Sequence, residues 1–276
     1  MCPAALSVSL VTFRPDFELL TLAVEHLRAA VVLLGASDAG VVRLVAVDND
    51  PGGGRGDCLQ ALLREHWQAE GREFAILTGH GNVGYGQGHN MAIAQSSADY
   101  HLILNPDVLV AEDALRNALE FMANNPDVGL LAPAFVDEDG SLRHLCKAYP
   151  TVIDLALRGF APDAVKRIAH RRLTRYEMKT IDPHAVRRGV PLISGSFMLF
   201  RRRVLARIGG FSKDYFLYFE DFDLSLRAAK FTTVAYVPSV RIVHKGGYAS
   251  RKGIRHWWMF GRSAYTFFSR HGWKWI

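Results

Sequence analysis

From Ser7 to Asn124 the chain alternates short β-branched runs with stretches of helical periodicity, and this alternation limits its architecture more than any other feature. Residues 7–12 (SVSLVT), 41–47 (VVRLVAV), 74–77 and 100–104 read as strands. Helices are expected over 16–34, near 58–68, over 89–95 and over 112–124. Such alternation builds an α/β protein with a doubly wound, mostly parallel central sheet. Ligands of these sheets collect outside the carboxyl ends of the strands. Asp48 and Asp107 both follow strand ends, so the rule puts them in one cleft.

The second half is less regular. Residues 128–135, 191–200 (PLISGSFMLF) and 232–237 read as strands, and 150–188 as a basic, largely helical segment broken by Pro162 and Pro183. No repeat, low-complexity tract or linker divides the chain, so 1–276 is expected to form one domain. Hydrophobic content of 49% and charged content of 22% are ordinary for a globular protein. No apolar run approaches the ~18–20 residues that span a bilayer. The start, MCPAALSVSLVTF, lacks a basic n-region, so no signal peptide is expected. Cys2, Cys58 and Cys146 are scattered without metal-ligand spacing, which fits a reduced, cytoplasmic compartment. The net charge of +6, concentrated in 166–188 and 251–274, points to anionic partners. No zinc-finger spacing, basic zipper or RNP-like strand accompanies it, so nucleic acid is not the expected partner.

Several motifs carry chemistry. Residues 211–227, FSKDYFLYFEDFDLSLR, set Glu220, Asp221 and Asp223 behind an aromatic run. Three carboxylates among aromatic rings cannot all sit in a dry core. They form either the acidic first turn of a helix over 222–230, favoured by its dipole, or a catalytic cleft. Asn105-Pro106-Asp107 ends a buried-looking strand, because proline cannot continue a central ladder. It is either a plain turn or the holder of a Mg2+ or Mn2+ ion, which takes one or two protein oxygens and completes its shell from phosphates and water. Residues 79–90, GHGNVGYGQGHN, contain five glycines and bring backbone close to a ligand or simply turn. They match neither the dinucleotide fingerprint nor a P-loop. His244, at the end of a strand-like run, is either structural or a second metal ligand beside Asp107.

The ordered set SLVTF, VAVDND, NVGYGQGHN, LILNPDV, ISGSFMLFRR, GGFSKDYFLYFEDFDLSLR and VRIVHKGG resembles the family 2 glycosyltransferases, in particular the rhamnosyltransferase-like enzymes of bacterial cell-surface polysaccharide assembly. The resemblance runs from about Ser7 to Gly247. It implies a GT-A fold, with a Rossmann-like nucleotide-sugar-binding half over 1–135, an acceptor and catalytic half over 136–250, and a basic-aromatic helix over 251–276. By the same resemblance Thr12 and Asp48 contact the nucleotide, while Asn82, Gly84, Asn90 and Asn105 line the donor pocket. Asn105-Pro106-Asp107 stands where the family carries its DxD motif. Only Asp107 offers a carboxylate there, which implies a weakly held Mg2+ or Mn2+, with His244 as its second protein ligand. Asp221 matches the catalytic base, and Glu220 adjoins it in the acceptor site.

The implied reaction moves a sugar with inversion, L-rhamnose from dTDP-L-rhamnose being the expected donor, to a hydroxyl of a saccharide or lipid-linked saccharide. Two other readings stay open: a nucleotide-sugar-binding partner subunit without catalysis, and a sugar-phosphate nucleotidyltransferase. The latter needs a glycine-rich basic loop after the first strand, where this chain reads VTFRPDFELL. In the C-terminal segment Trp257, Phe260, Ala264 and Phe268 recur at helical spacing, with Arg255, Arg262, Arg270 and Lys274 interleaved. Such a helix either packs its aromatic face on the core or lies on anionic lipid at the inner face of the cell membrane.

Overall fold

The structure, a computed structural model, describes residues 4–52, 55–68, 72–137, 139–244 and 254–276. The chain opens with β1 (Ala4–Thr12), α1 (Phe17–Asp38), β2 (Ala39–Asp48), α2 (Gly56–His66) and β3 (Phe74–Leu77). Next come α3 (Tyr85–Ala94), β4 (Tyr100–Leu104), β5 (Val108–Val110), α4 (Ala114–Asn124), β6 (Val128–Val136) and β7 (Leu142–His144). The helices α5 (Val152–Phe160), α6 (Asp163–Ile168) and α7 (His170–Tyr176) precede β8 (Arg187–Arg188) and β9 (Phe197–Arg201). Last are α8 (Arg202–Ile208), α9 (Glu220–Ala229), β10 (Thr233–His244) and α10 (Ile254–His271).

These strands form one sheet in the order β3-β2-β1-β4-β9-β6-β10-β5, with β7 beside β6 and β8 beside β10. From β3 to β4 all pairs are parallel, as the alternation requires. Beyond β4 the sheet is mixed: β9 runs antiparallel to both β4 and β6, and β5 antiparallel to β10. Leu6, Val8 and Leu10 of β1 pack with the apolar stripes of α1, α2 and α4 on one face. On the other face α3 lies against β1 so closely that a side chain at Gly88 would meet Val11 at 2.9 Å.

Two local features position the functional edge. The β6–β10 register breaks between Val237 and Arg241, and the second part of β10 pairs with β5. Only Asn105, Pro106 and Asp107 join β4 to β5, and three residues reach at most about 11 Å. The far end of the sheet therefore returns to the tip of β4, and His244 comes opposite Val108, the neighbour of Asp107. The structure also shifts two expected elements. α3 begins at Tyr85 rather than at residue 89, inside the glycine-rich loop, because Gly84 starts it with φ 86°. Of the strand expected over 191–200, only β9 forms, and residues 192–196 are a loop.

Beneath α3 lies a buried polar chain. Ser9 Oγ is 2.7 Å from His89 Nδ1 and 2.9 Å from His101 Nε2, while Ser7 Oγ is 2.7 Å from His101 Nδ1. Ser7 and Ser9 project from one side of β1, by the two-residue alternation of a strand. Burial holds both imidazoles neutral, with His101 lowered to about 3 and His89 also pushed well down. Unfolded histidines bind a proton near pH 6.5, so each buried one withdraws ~1.4 kcal/mol of stability per pH unit below that value. For His101 the loss runs down to about pH 3. Melting temperature should thus fall steeply on acidification, and His101→Asn should show a shallower fall below pH 6.5; equal slopes would refute the assignment.

Candidate active site

The parallel order β2-β1-β4 places three carboxyl strand ends side by side, and the chain's direction of winding reverses between β1 and β4. Such a reversal opens a crevice at the strand tips. Thr12 and Asp48 are register partners there, both buried. Asp48 Oδ1 accepts the Asp50 N–H at 3.0 Å, and Thr12 Oγ1 lies 3.5 Å from the Val47 carbonyl. Asn49 links this edge to the glycine-rich loop: its N–H donates to the Thr12 carbonyl at 2.9 Å and its amide nitrogen to the Gly84 carbonyl at 3.1 Å. In the sequence Asn49 stands in the polar group Asp48-Asn49-Asp50 that ends the second strand, with no spacing that signals its link to Gly84.

The glycine-rich loop is tied to the acidic motif. Asn82 Oδ1 accepts the Gly84 N–H at 3.0 Å and shapes the loop. The Tyr85 N–H donates to the Phe216 carbonyl at 3.1 Å, and a Cβ on Gly84 would sit 2.3 Å from that same oxygen. Asn90, expected in the donor pocket, is committed elsewhere. Its Oδ1 accepts the Phe211 N–H and its Nδ2 donates to the Phe211 carbonyl, both at 2.8 Å. Asn90 therefore fastens α3 to the segment after Gly209-Gly210.

Glu220 and Asp221 open α9 after two residues in the left-handed region, Tyr218 (φ 72°) and Phe219 (φ 65°). Side chains in that conformation are strained and persist only where packing over-determines them. Here Phe219 packs on Phe260 and Phe267 at ring-centroid distances of 5.1 and 5.3 Å. The Tyr218 hydroxyl lies 3.0 Å from His256 Nδ1.

The turn delivers Asp221 to the loop before β9. Its Oδ2 accepts the Gly195 N–H at 2.8 Å and its Oδ1 the Phe222 N–H at 2.9 Å. The Tyr85 hydroxyl donates to the Gly195 carbonyl at 2.6 Å, closing the group. Tyr85 feels the charges of Glu220, Asp221 and Asp107 after burial itself, so these acids share one neighbourhood. Glu220 is buried, and its Oε2 has no hydrogen-bond partner among the described residues. Burial raises both acids, Glu220 to about 8 with help from the Asp221 charge, and Asp221 to about 6. The two N–H donors on Asp221 favour its anion, so within the pair Asp221 ionises first. Tyr85 and Gly195 were not singled out from the sequence, because no spacing signals that residue 195 meets residue 221.

Asp223 lies in the acidic first turn of α9 and is also ion-paired inside the protein. It is wholly buried, with Oδ2 accepting from Arg227 Nε at 2.7 Å and Oδ1 lying 2.9 Å from His271 Nε2. At the crevice, Asn105 Oδ1 is buried without a partner among the described residues, and Asp107 closes the turn into β5. An amide oxygen and one carboxylate are hard donors that fit Mg2+ or Mn2+ when phosphate oxygens complete the shell. The side chain of His244, and the glycine pair that follows it, lie outside the described residues. Among the described residues no group of three or more His, Cys, Asp or Glu side chains could hold a metal alone.

Residues 56–259 match the family model described as glycosyltransferase like family 2. The chain belongs to this family. It is 30% identical over 213 residues to the N-acetylglucosaminyl-diphospho-decaprenol L-rhamnosyltransferase of Mycobacterium tuberculosis, covering 72% of this chain and 68% of that protein. It is 28% identical to rhamnosyltransferase WbbL of Escherichia coli, over 62% of this chain and 64% of that one. The fold matches that of a mannosyltransferase from Pyrobaculum calidifontis in complex with GDP-Man and Mn2+, with a TM-score of 0.57 at 16% identity, over 98% of this chain and 76% of the other. The chain is thus a glycosyltransferase of the GT-A fold, as its motifs led one to expect.

Gly84 is the most sensitive joint of the site. Gly84→Ala forces a side chain into positive φ and onto a backbone oxygen, at a cost of about 2–3 kcal/mol. The melting temperature should drop by roughly 5–10 °C, measured by calorimetry; a variant as stable as the parent would contradict this packing.

Proposed function

We propose that this glycosyltransferase moves L-rhamnose from dTDP-L-rhamnose, with inversion, to a hydroxyl of a saccharide or lipid-linked saccharide in cell-surface polysaccharide synthesis. The observation that carries the mechanism is the unequal acid pair, in which Asp221 is held by two N–H donors while Glu220 Oε2 has no partner among the described residues. The names of the relatives from M. tuberculosis and E. coli support the sugar. On this reading residues 1–135 bind the donor and 136–250 the acceptor, at the inner face of the cell membrane. No helix among the described residues is long and apolar enough to cross a membrane.

In the reaction the acceptor oxygen bonds to the anomeric carbon as the bond from that carbon to the diphosphate oxygen breaks. The hydroxyl proton passes to the Asp221 carboxylate, which the Gly195 and Phe222 amides hold in place. Glu220, kept neutral by burial, donates a hydrogen bond that orients the acceptor or the base. Thr12, Asp48 and Asn82 line the nucleotide pocket with Gly84 and Asn105. Asp107, with His244, would hold Mg2+ or Mn2+, which when bound neutralises charge developing on the leaving diphosphate. Aromatic faces such as the exposed ring of Phe216 offer stacking for sugar rings.

Asp221→Asn should keep the fold and donor binding yet lower kcat by about 10²–10⁴-fold, the usual share of a general base. Transfer at the parent rate would overturn the assignment. Because the base must be ionised and its pKa is raised to about 6, kcat/KM should be full above that pH and fall as pH drops through it. Donor identity is tested by thermal shift with dTDP-rhamnose, UDP-sugars and GDP-sugars, each with and without Mn2+, since a bound ligand stabilises the native state. Stabilisation by dTDP-rhamnose alone is expected; a response only to another nucleotide sugar would replace rhamnose.

A further inference from the structure

The helix α10 has two working faces. Its inner face meets every part of the strained turn that presents Asp221. Ser263 Oγ donates to the Leu217 carbonyl at 2.8 Å, Phe260 and Phe267 pack on Phe219, and His271 reaches Asp223. Its outer face is apolar where solvent should favour polar side chains. Trp258, Arg262 and Tyr265 follow one another at helical spacing, and Trp258 and Tyr265 are 64% and 65% exposed. The Arg262 guanidinium stands 5.6 Å from the Trp258 ring centroid. After the helix, Trp273, Lys274, Trp275 and Ile276 continue the exposed surface, with Trp273 and Trp275 stacked at 5.3 Å.

The charge carried by this segment has one sign. From Ile254 to Ile276 the chain holds Arg255, Arg262, Arg270 and Lys274 and no Asp or Glu. Arg270 turns inward to Asp214 and Asp223, which leaves Arg262 and Lys274 among the exposed rings. The backbone of the tail joins α5, with the Val152 N–H donating to the Lys274 carbonyl at 2.8 Å. Exposed tryptophan and tyrosine interleaved with cations, without a spanning segment, suit the headgroup region of a bilayer with anionic lipid.

We propose that the outer face of α10 docks on an anionic bilayer and that its inner face transmits this docking to the turn at residues 217–223, steadying Asp221 when the enzyme sits on the membrane. The proposal gives the lipid-linked acceptor of the preceding section a means of approach. Its test needs neither donor nor acceptor, so its failure is distinct from failure of the sugar-transfer reading.

The whole chain should co-sediment with phosphatidylcholine–phosphatidylglycerol vesicles, far less with pure phosphatidylcholine, and release as salt rises. The double variant Trp258→Ala, Tyr265→Ala should partition at least about tenfold more weakly, from loss of two interfacial rings. Its circular dichroism and melting temperature should stay those of the parent, because neither ring serves the core. Hydrogen exchange of residues 217–223 in the parent should slow when the anionic vesicles are added. Absence of vesicle binding, or equal binding by the folded double variant, would overturn the docking face. Unchanged exchange at 217–223 in the vesicle-bound parent would overturn the coupling.

Discussion

A carboxylate with no exposure to water is the constraint on which the second half of the structure depends. Asp223 is tolerated inside only because Arg227, Arg270 and His271 surround it. Each partner has a second consequence. Arg227 also donates to the Ile208 and Gly210 carbonyls, at 2.7 Å in both cases, and so fixes the turn between α8 and the aromatic run. Arg270 and His271 anchor the end of α10 over α9. A buried ion pair of this kind adds little net stability, but it permits few alternative arrangements, because any other would strand a charge. The start of α9 is thereby set to within a side-chain rotamer.

That precision matters because two adjacent acids must behave differently. Glu220 and Asp221 are neighbours in sequence with nearly the same intrinsic acidity. Their separation comes from direction: the left-handed turn points Asp221 at the Gly195 and Phe222 amides and leaves Glu220 Oε2 buried with no partner among the described residues. Tyr85 completes the arrangement from the glycine-rich loop, its hydroxyl on the Gly195 carbonyl. The glycine-rich loop and the acid pair are consequently one mechanical unit, joined a second time where Gly84 abuts Phe216.

Much of the fold was legible because it rests on local chemistry. The β-branched runs of β1, β2, β3 and β4 and the helices between them announced a parallel sheet, and the strand tips announced the edge where Asp48 and Asp107 stand. Proline placed the end of β4, and acids marked the first turn of α9. The second half of the sheet was not legible in the same way. β5 and β7 have three residues each, too short for a periodicity to be counted, and β9 runs antiparallel for reasons that lie in its neighbours. The fastening roles of Asn90 and Asp223 were not legible for a similar reason: the partners that define them, Phe211 and His271, lie far along the chain.

The sequence by itself determined the class of the sheet, the edge that holds the site, the acids available there and, through the order of its motifs, the family. Those properties follow from side-chain type and local spacing, which a linear string records completely. Only the tertiary structure decided which of the two adjacent acids is held by backbone amides, that Asn90 and Asp223 fasten distant segments, and that the aromatic residues of α10 divide between an inner brace and an outer surface. Each of these depends on which distant backbone amide, cation or ring a side chain meets, and the chain acquires those neighbours only on folding.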